Sequence, residues 1–322
     1  MSGGAPGIRV VATLGDPRGI GPEVIVKAAR ALRRERPEAE IFLLGDAGSL
    51  DALGNEFDGQ AVGDFDGSLD SAGTISLEAI REGVERIRRR QGTVLVTGPV
   101  HKPALRAAGS HFPGQTELLQ ELAGASRVGM LMHADTSRAG APLRILLATT
   151  HLPLRDVPER LTPTLLEVQI LLFHESLRDR WRIPAPRLVL CALNPHASDG
   201  GLFGDEEARI LTPAVEAARA RGVEVTGPLP ADTAFLTLLD RTADGVVVPY
   251  HDVGMAVFKT LAFGHGVNVT LGLPFVRTSP DHGTAFDLVG TGRADPSSAL
   301  EAFRLAARLA SAFTGDAPEP LF

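Results

Sequence analysis

Leu143-Arg-Ile-Leu-Leu-Ala-Thr-Thr-His151 is the stretch that decides the fold. Its run is short, apolar on both faces and β-branched where it matters, and it ends in two hydroxyls and an imidazole. A parallel strand covered by helices on both sides has this pattern, because both faces of its pleat are buried. The pattern recurs in Arg187-Leu-Val-Leu-Cys-Ala-Leu-Asn-Pro-His196 and in Asp244-Gly-Val-Val-Val-Pro-Tyr-His251. Shorter runs of the same kind occur at Ile8–Ala12, Ile41–Leu44, Val94–Thr97 and Val223–Thr226.

Helical patterns fall between these runs. One covers Glu23–Arg34. Another starts near Ile75, where Ile80, Val84 and Ile87 recur at helix spacing. After Gly204 the order Asp205-Glu206-Glu207 and then Arg219 and Arg221 complements a helix dipole, with Pro213 expected to break or restart the helix. Asp295 and Pro296 read as a cap and first position, followed by the stripe Leu300, Phe303, Leu309 and Phe313. Alternating strands and helices predict an α/β fold with a mainly parallel sheet.

The chain has 322 residues, room for two α/β domains. Its net charge of −7 argues against a nucleic-acid partner, since nothing offsets phosphates. Arg88, Arg89 and Arg90 sit where cations balance a helix C-terminus. The one cysteine, Cys191, excludes an internal disulfide, suits a reducing compartment and reads as a buried, inert thiol. Met1–Gly7 has no apolar core, so no signal peptide is expected, and no run reaches the ~18 apolar residues of a membrane span. A cytoplasmic protein is the expectation.

Ligand sites of open α/β sheets form at the carboxyl ends of strands. His151, His196 and His251 each follow such an end, so three neutral imidazoles could hold a divalent ion with positions left open. The plainer alternative is three unrelated loop histidines bonded to backbone. His101 and Lys102 follow Val94–Thr97 at the same kind of edge. Two loops are rich in glycine. In Gly15-Asp-Pro-Arg-Gly19-Ile-Gly21-Pro-Glu23 a helix N-terminus could face an anion, but the third small residue of a Rossmann fingerprint is replaced by Val24, and an ordinary turn is the plainer reading. In Arg277–Pro296, Asp281, His282, Gly283 and Asp287 could approach, stack on and hydrogen-bond a nucleotide, or simply form a polar surface loop.

At these residues the chain resembles the 4-hydroxythreonine-4-phosphate dehydrogenase family of vitamin B6 biosynthesis. The resemblance runs from about Gly15 almost to the C-terminus. It is carried by Gly-Asp-Pro-x-Gly-Ile-Gly-Pro-Glu at 15–23, Thr-Gly-Pro-Val-x-Lys at 97–102, Pro-Gly-x-Thr-Glu at 113–117 and Thr-Thr-His-Leu-Pro-Leu at 149–154. Further along come Leu-Asn-Pro-His-Ala at 193–197, Gly-Gly-Leu-Phe-Gly-Asp-Glu-Glu at 200–207, Tyr-His-Asp at 250–252, the run 266–279 and Asp-His-Gly-Thr-Ala at 281–285.

The resemblance implies two α/β/α domains around a cleft, similar to isocitrate and isopropylmalate dehydrogenases. Residues 1–127 with 260–322 would form the cofactor-side domain and 128–259 the domain carrying the histidines and dimer contacts. It implies a homodimer with active sites at the subunit interface, in which His151, His196 and His251 hold a divalent ion (Zn, Mg, Co or Mn) and the partner supplies one of them. It implies NAD or NADP at Gly19, Gly21, Asp281, His282, Gly283 and Asp287, and substrate contacts at Gln115, Thr116, Lys259, Asn268 and Arg277. Lys102 and Asp252 would join the proton path. The implied reaction oxidises 4-phosphooxy-L-threonine and removes carbon dioxide, giving 3-amino-2-oxopropyl phosphate, with a metal stabilising first an alkoxide and then an enolate.

Two positions depart from the family pattern. Gln115 replaces a histidine that contacts substrate, and Val253 replaces the usual glutamine. Glutamine cannot become cationic or carry a proton at neutral pH. A related dehydrogenase for 4-phosphothreonate, 4-phosphoerythronate or a cis-dihydrodiol acid, or a non-catalytic metabolite-binding relative, is therefore a further expectation.

Overall fold

The structure, a computed structural model, describes residues 8–90 and 92–310; Phe313 and the segment Met1–Gly7 lie outside the described residues. Eleven strands occur among them: β1 (Arg9–Thr13), β2 (Glu40–Gly45), β3 (Asp58–Ala61), β4 (Thr93–Thr97), β5 (Gly129–Ala134), β6 (Leu143–Leu147), β7 (Arg187–Cys191), β8 (Glu224–Leu229), β9 (Gly245–Val248), β10 (Val267–Leu271) and β11 (Arg277–Pro280). The chain divides into two compact units, 1–127 with 273–322 and 128–272. Residues 260–272, grouped with the first domain on sequence, cluster with the second unit, where β10 pairs antiparallel with β5.

In the first unit the strand order is β3-β2-β1-β4-β11, and each of these pairs is parallel. The chain steps from β1 to β2 and β3 on one side and then to β4 on the other side of β1, so the carboxyl ends of β1 and β4 form a switch point, the usual place for a ligand crevice. The loops leaving there are 14–20 and 98–101. The helices Gly21–Glu35 and Leu69–Arg89 start where their sequences supply a Pro in the first turn and a Ser68 cap, respectively. The last helix, Ser297–Ala310, buries Phe303, Leu305 and Leu309, and Asp295 accepts from Ser297 N at 2.9 Å.

In the second unit the order is β10-β5-β6-β9-β7-β8, parallel from β6 onward. The core beneath β6, β7 and β9 joins Ile145, Leu147, Val189, Val246 and Val248 to Phe258. Val253 packs against that cluster, which gives a hydrophobic residue there a structural reason. Pro213 restarts the helix as expected. A wide π-turn over Glu207–Leu211 passes into the helix Thr212–Ala220, with Pro213 in its first turn, where the missing N–H costs nothing.

Cys191 is fully buried at the end of β7, and burial pushes its thiol up to about 12. The thiol is ionised only above that pH. The native protein is therefore expected to stay unmodified by a chromogenic disulfide reagent at mildly alkaline pH and to react with one equivalent after denaturation. Rapid labelling of native protein would contradict this placement.

Candidate active site

Strands β6, β9 and β7 are neighbours in that order, so the three histidine loops leave adjacent strand ends. Thr149, just past β6, donates its hydroxyl to Pro249 O at 2.7 Å and so ties the end of β6 to the end of β9. Two residues beyond each clamp point stand His151 and His251. Their ring centroids lie 5.5 Å apart with planes inclined by 39°. A pocket of about 180 Å³ opens beside them, lined by Thr149, Leu152, Tyr250 and Asp252 among others.

Asp252 Oδ1 lies 2.7 Å from His251 Nδ1. A carboxylate there fixes the ring and leaves Nε2 as the ligand atom, the arrangement that orients metal-bound imidazoles. Asp252 is otherwise exposed, so the contact it makes in this chain is the orientation of His251. The donor chemistry of the imidazole pair thus fits a divalent transition metal.

His196 does not join them. Among the described residues no group of three or more metal-ligating side chains converges. Two strand spacings, about 10 Å, separate β6 from β7, and the loop after β7 folds into a left-handed turn with positive φ from His196 (53°) through Asp199 (45°). His196 is exposed there, its ring 6.4 Å from that of Phe203. His151 also holds a positive φ of 51°. Left-handed backbone costs an L residue about 1–2 kcal/mol, and such strain concentrates at functional sites.

Also in this unit, Asn268 on β10 has a buried Oδ1 without a hydrogen-bond partner, and Lys259 lies half-buried on the helix His251–Ala262. Of the remaining histidines there, His265 is exposed, His133 is buried and His174 is half-buried. His133 lies 3.0 Å from Asp135 Oδ1, and burial lowers the pKa of His174.

In the first unit the buried Arg277 guanidinium donates to the Thr97 hydroxyl from Nε (3.1 Å) and from Nη2 (2.6 Å). It also donates to Gln115 Oε1 at 3.2 Å, and Gln115 Nε2 donates to Gly98 O at 3.1 Å. Burial lowers the arginine to about 10. Gln115 and Thr116 open the helix Gln115–Ala123, so an anion beside Arg277 would meet a helix N-terminus as well. Thr97 is a contact the sequence reading did not single out. Its position as the last residue of β4, at a ligand edge, is the signal available for it.

The two glycine-rich loops pack on one another. Ile20 N donates to Thr284 O at 2.9 Å, and a Cβ at Gly19 would lie 2.8 Å from that oxygen. A Cβ at Gly21 would lie 2.2 Å from Leu14 O. Gly19 and Gly21 are thus required by backbone packing, whereas the space over Gly283 is open. Asp16, fully buried, accepts from Arg18 N, Nε and Nη2, and Arg18 Nη2 reaches His101 Nδ1 at 3.2 Å. Phe286 stands edge-on to His101 at 5.1 Å. Ser298 Oγ donates to Asp281 Oδ1 at 3.1 Å, and His282 has a buried Nε2 without a partner. Asp287 and Lys102 are exposed, Lys102 as the first residue of the helix Lys102–Ala107.

This fold is shared with the β-decarboxylating dehydrogenase of Thermococcus kodakarensis, at a TM-score of 0.54 and 17% identity over 94% of this chain and 83% of that one. At that identity the likeness shows an α/β fold alone. The family model for pyridoxal phosphate biosynthetic protein PdxA matches residues 41–306, and the chain belongs to that family. It is 40% identical over 336 aligned residues to the 4-hydroxythreonine-4-phosphate dehydrogenase of Ralstonia nicotianae, covering 94% of this chain and 98% of the relative. The crystal structure of 4-hydroxythreonine-4-phosphate dehydrogenase from Klebsiella pneumoniae is similar at a TM-score of 0.81 and 35% identity, over 94% of this chain and 99% of that one. No helix among the described residues is long and apolar enough to cross a membrane.

Proposed function

We propose that this enzyme oxidises and decarboxylates 4-phosphooxy-L-threonine to 3-amino-2-oxopropyl phosphate with NAD or NADP and a divalent ion. The observation that carries the reading is the His151–His251 pair, 5.5 Å apart, with His251 oriented by Asp252. A divalent ion held by His151 and His251 would supply Lewis acidity, and a nicotinamide cofactor beside the loop 281–287 would supply the hydride acceptor. The chain's own groups then do the positioning. Arg277, held flat by Thr97 and Gln115, presents N–H groups to a carboxylate or phosphate. Thr116 adds a hydroxyl at a helix N-terminus, Lys259 a second cation, and Asn268 an unspent carbonyl. The open backbone at Gly283 and the unpartnered His282 Nε2 suit a nucleotide beside the loop 281–287.

The third imidazole comes, in this reading, from the partner subunit's His196. The exposed side chains Leu152, Leu154, Leu202 and Phe203 flank the histidine loops and support burial against a second copy. Gln115 favours a second reading, a dehydrogenase for a related phosphorylated hydroxy acid such as 4-phosphothreonate or 4-phosphoerythronate. Its amide is engaged on both sides and carries no titratable proton.

Near-ultraviolet absorbance of reduced cofactor tests both readings across these three acids, with Mg²⁺, Mn²⁺, Co²⁺ or Zn²⁺ and each cofactor. The expected result is metal-dependent turnover, highest kcat/KM on 4-phosphooxy-L-threonine. Preference for another acid would favour the second reading, and binding without turnover of any would overturn both.

A further inference from the structure

The motif Gly-Gly-Leu-Phe-Gly-Asp-Glu-Glu at 200–207 has no part in the chemistry above, yet it ends in a carboxylate with unusual surroundings. Glu207 is buried, with 4% of its surface exposed. Oε1 accepts from Leu193 N at 2.9 Å and from Asn194 N at 2.7 Å. Oε2 accepts from Asn194 Nδ2 at 2.9 Å and from the Ser198 hydroxyl. These donors lie on both sides of His196 in the chain. They bracket the left-handed turn in which His196, Ala197, Ser198 and Asp199 all carry positive φ.

Such a turn needs outside anchorage to persist. The carboxylate supplies it with four accepted bonds, and a carboxylate is the one side chain that accepts at every position. Glutamine would turn an NH₂ against two of the donors. The rest of the motif makes room for this clamp. Asn194 Nδ2 also donates to Glu206 Oε2 at 2.8 Å, and a Cβ at Gly204 would stand 2.5 Å from Glu206 Oε2 and 2.9 Å from Asn194 Nδ2.

We propose that Glu207 is the positioning residue for His196, fixing the turn that presents this imidazole to the metal. The inference rests on the reading of His196 as a metal ligand. It accounts for a carboxylate buried away from the imidazole pair and for a ligand loop that keeps a strained backbone while exposed.

Calorimetric titration of metal-free protein with Zn²⁺ tests it, with His196→Ala, Glu207→Gln and Ser198→Ala beside wild type. Melting temperature and dimer content of the metal-free proteins are measured in parallel. Glu207→Gln is expected to weaken Zn²⁺ binding about 10- to 100-fold, the usual effect of losing a group that orients a ligand. Ser198→Ala, which removes one donor, is expected to weaken it a few-fold without changing melting or assembly. Wild-type affinity in a folded Glu207→Gln dimer, with affinity lost in His196→Ala, would overturn the proposal alone. Should Glu207→Gln fail to fold, wild-type affinity in Ser198→Ala would overturn it. Wild-type affinity in His196→Ala would end the reading of His196 as a ligand and the proposal with it.

Discussion

Mixing two inactive variants, His196→Ala and His251→Ala, is expected to restore turnover. In the proposed site each alone loses a metal ligand, at a cost of several kcal/mol of transition-state stabilisation, on the order of a thousandfold in kcat/KM. If each site takes His151 and His251 from one protomer and the third imidazole from its partner, a mixed dimer holds one site with both lesions and one with neither. Random re-pairing then gives about a quarter of wild-type activity. The proposed route rests on His151 and His251 standing together while no third ligand joins them within the described residues. The control is a mixture of His151→Ala with His251→Ala. Both lesions fall on the same half of the site, so no pairing creates an intact one. Restoration in the control, or none in the first mixture, would remove the shared site.

What the sequence made legible follows from where burial and polarity coincide. Strands β1, β2, β4, β6, β7 and β9 are short apolar runs, and each is readable because residues on both faces of the pleat are buried. Strand β3 was not, because Asp58–Ala61 is exposed throughout and pairs at a sheet edge without an apolar signal. Strand β10 carries no separate strand signal in the sequence, and β11 reads as the start of a loop, since Asn268, Arg277, Thr278 and Ser279 are polar. In β11 those side chains are buried all the same, and the Arg277 cation is held beside Thr97 and Gln115. Burial of polar groups inverts the hydrophobic pattern at the residues chemistry uses. Glu207 was hidden differently. In Asp205-Glu206-Glu207 it reads as one more acid of a helix's first turn, and only the fold separates it from the exposed Asp205 and the half-buried Glu206. The loop holding Gly19 and Gly21 reads as a turn whose helix N-terminus could face an anion, and the Cβ positions of both glycines are filled by Thr284 and Leu14 of this chain, as an ordinary packed turn requires.

Arg277→Met is expected to cost at least a hundredfold in kcat/KM, chiefly through KM, while leaving the metal-free protein as stable as wild type or more so. The two halves have one cause. Burial lowers the guanidinium from its ordinary value to about 10, so the charged form is disfavoured in the folded chain. For a base with a depressed folded value the penalty is present in full below about pH 10 and is relieved as pH rises through it. At neutral pH the folded protein therefore carries a net penalty for this desolvated cation, which the Glu117 carboxylate offsets in part and a bound anion would offset further. Truncating one partner of such a desolvated pair typically costs about 2–5 kcal/mol of binding, whereas an apolar replacement of similar volume in the empty protein is often neutral or stabilising. Arg277→Lys is not a conservative test, because a point ammonium cannot span Thr97 Oγ1 and Gln115 Oε1 with a planar fork. Steady-state kinetics on 4-phosphooxy-L-threonine and thermal melts with and without it measure both halves. Substrate should raise the melting temperature of wild type and not that of the variant. A variant that melts lower when empty yet keeps wild-type KM would mean that Arg277 serves the fold and not the ligand.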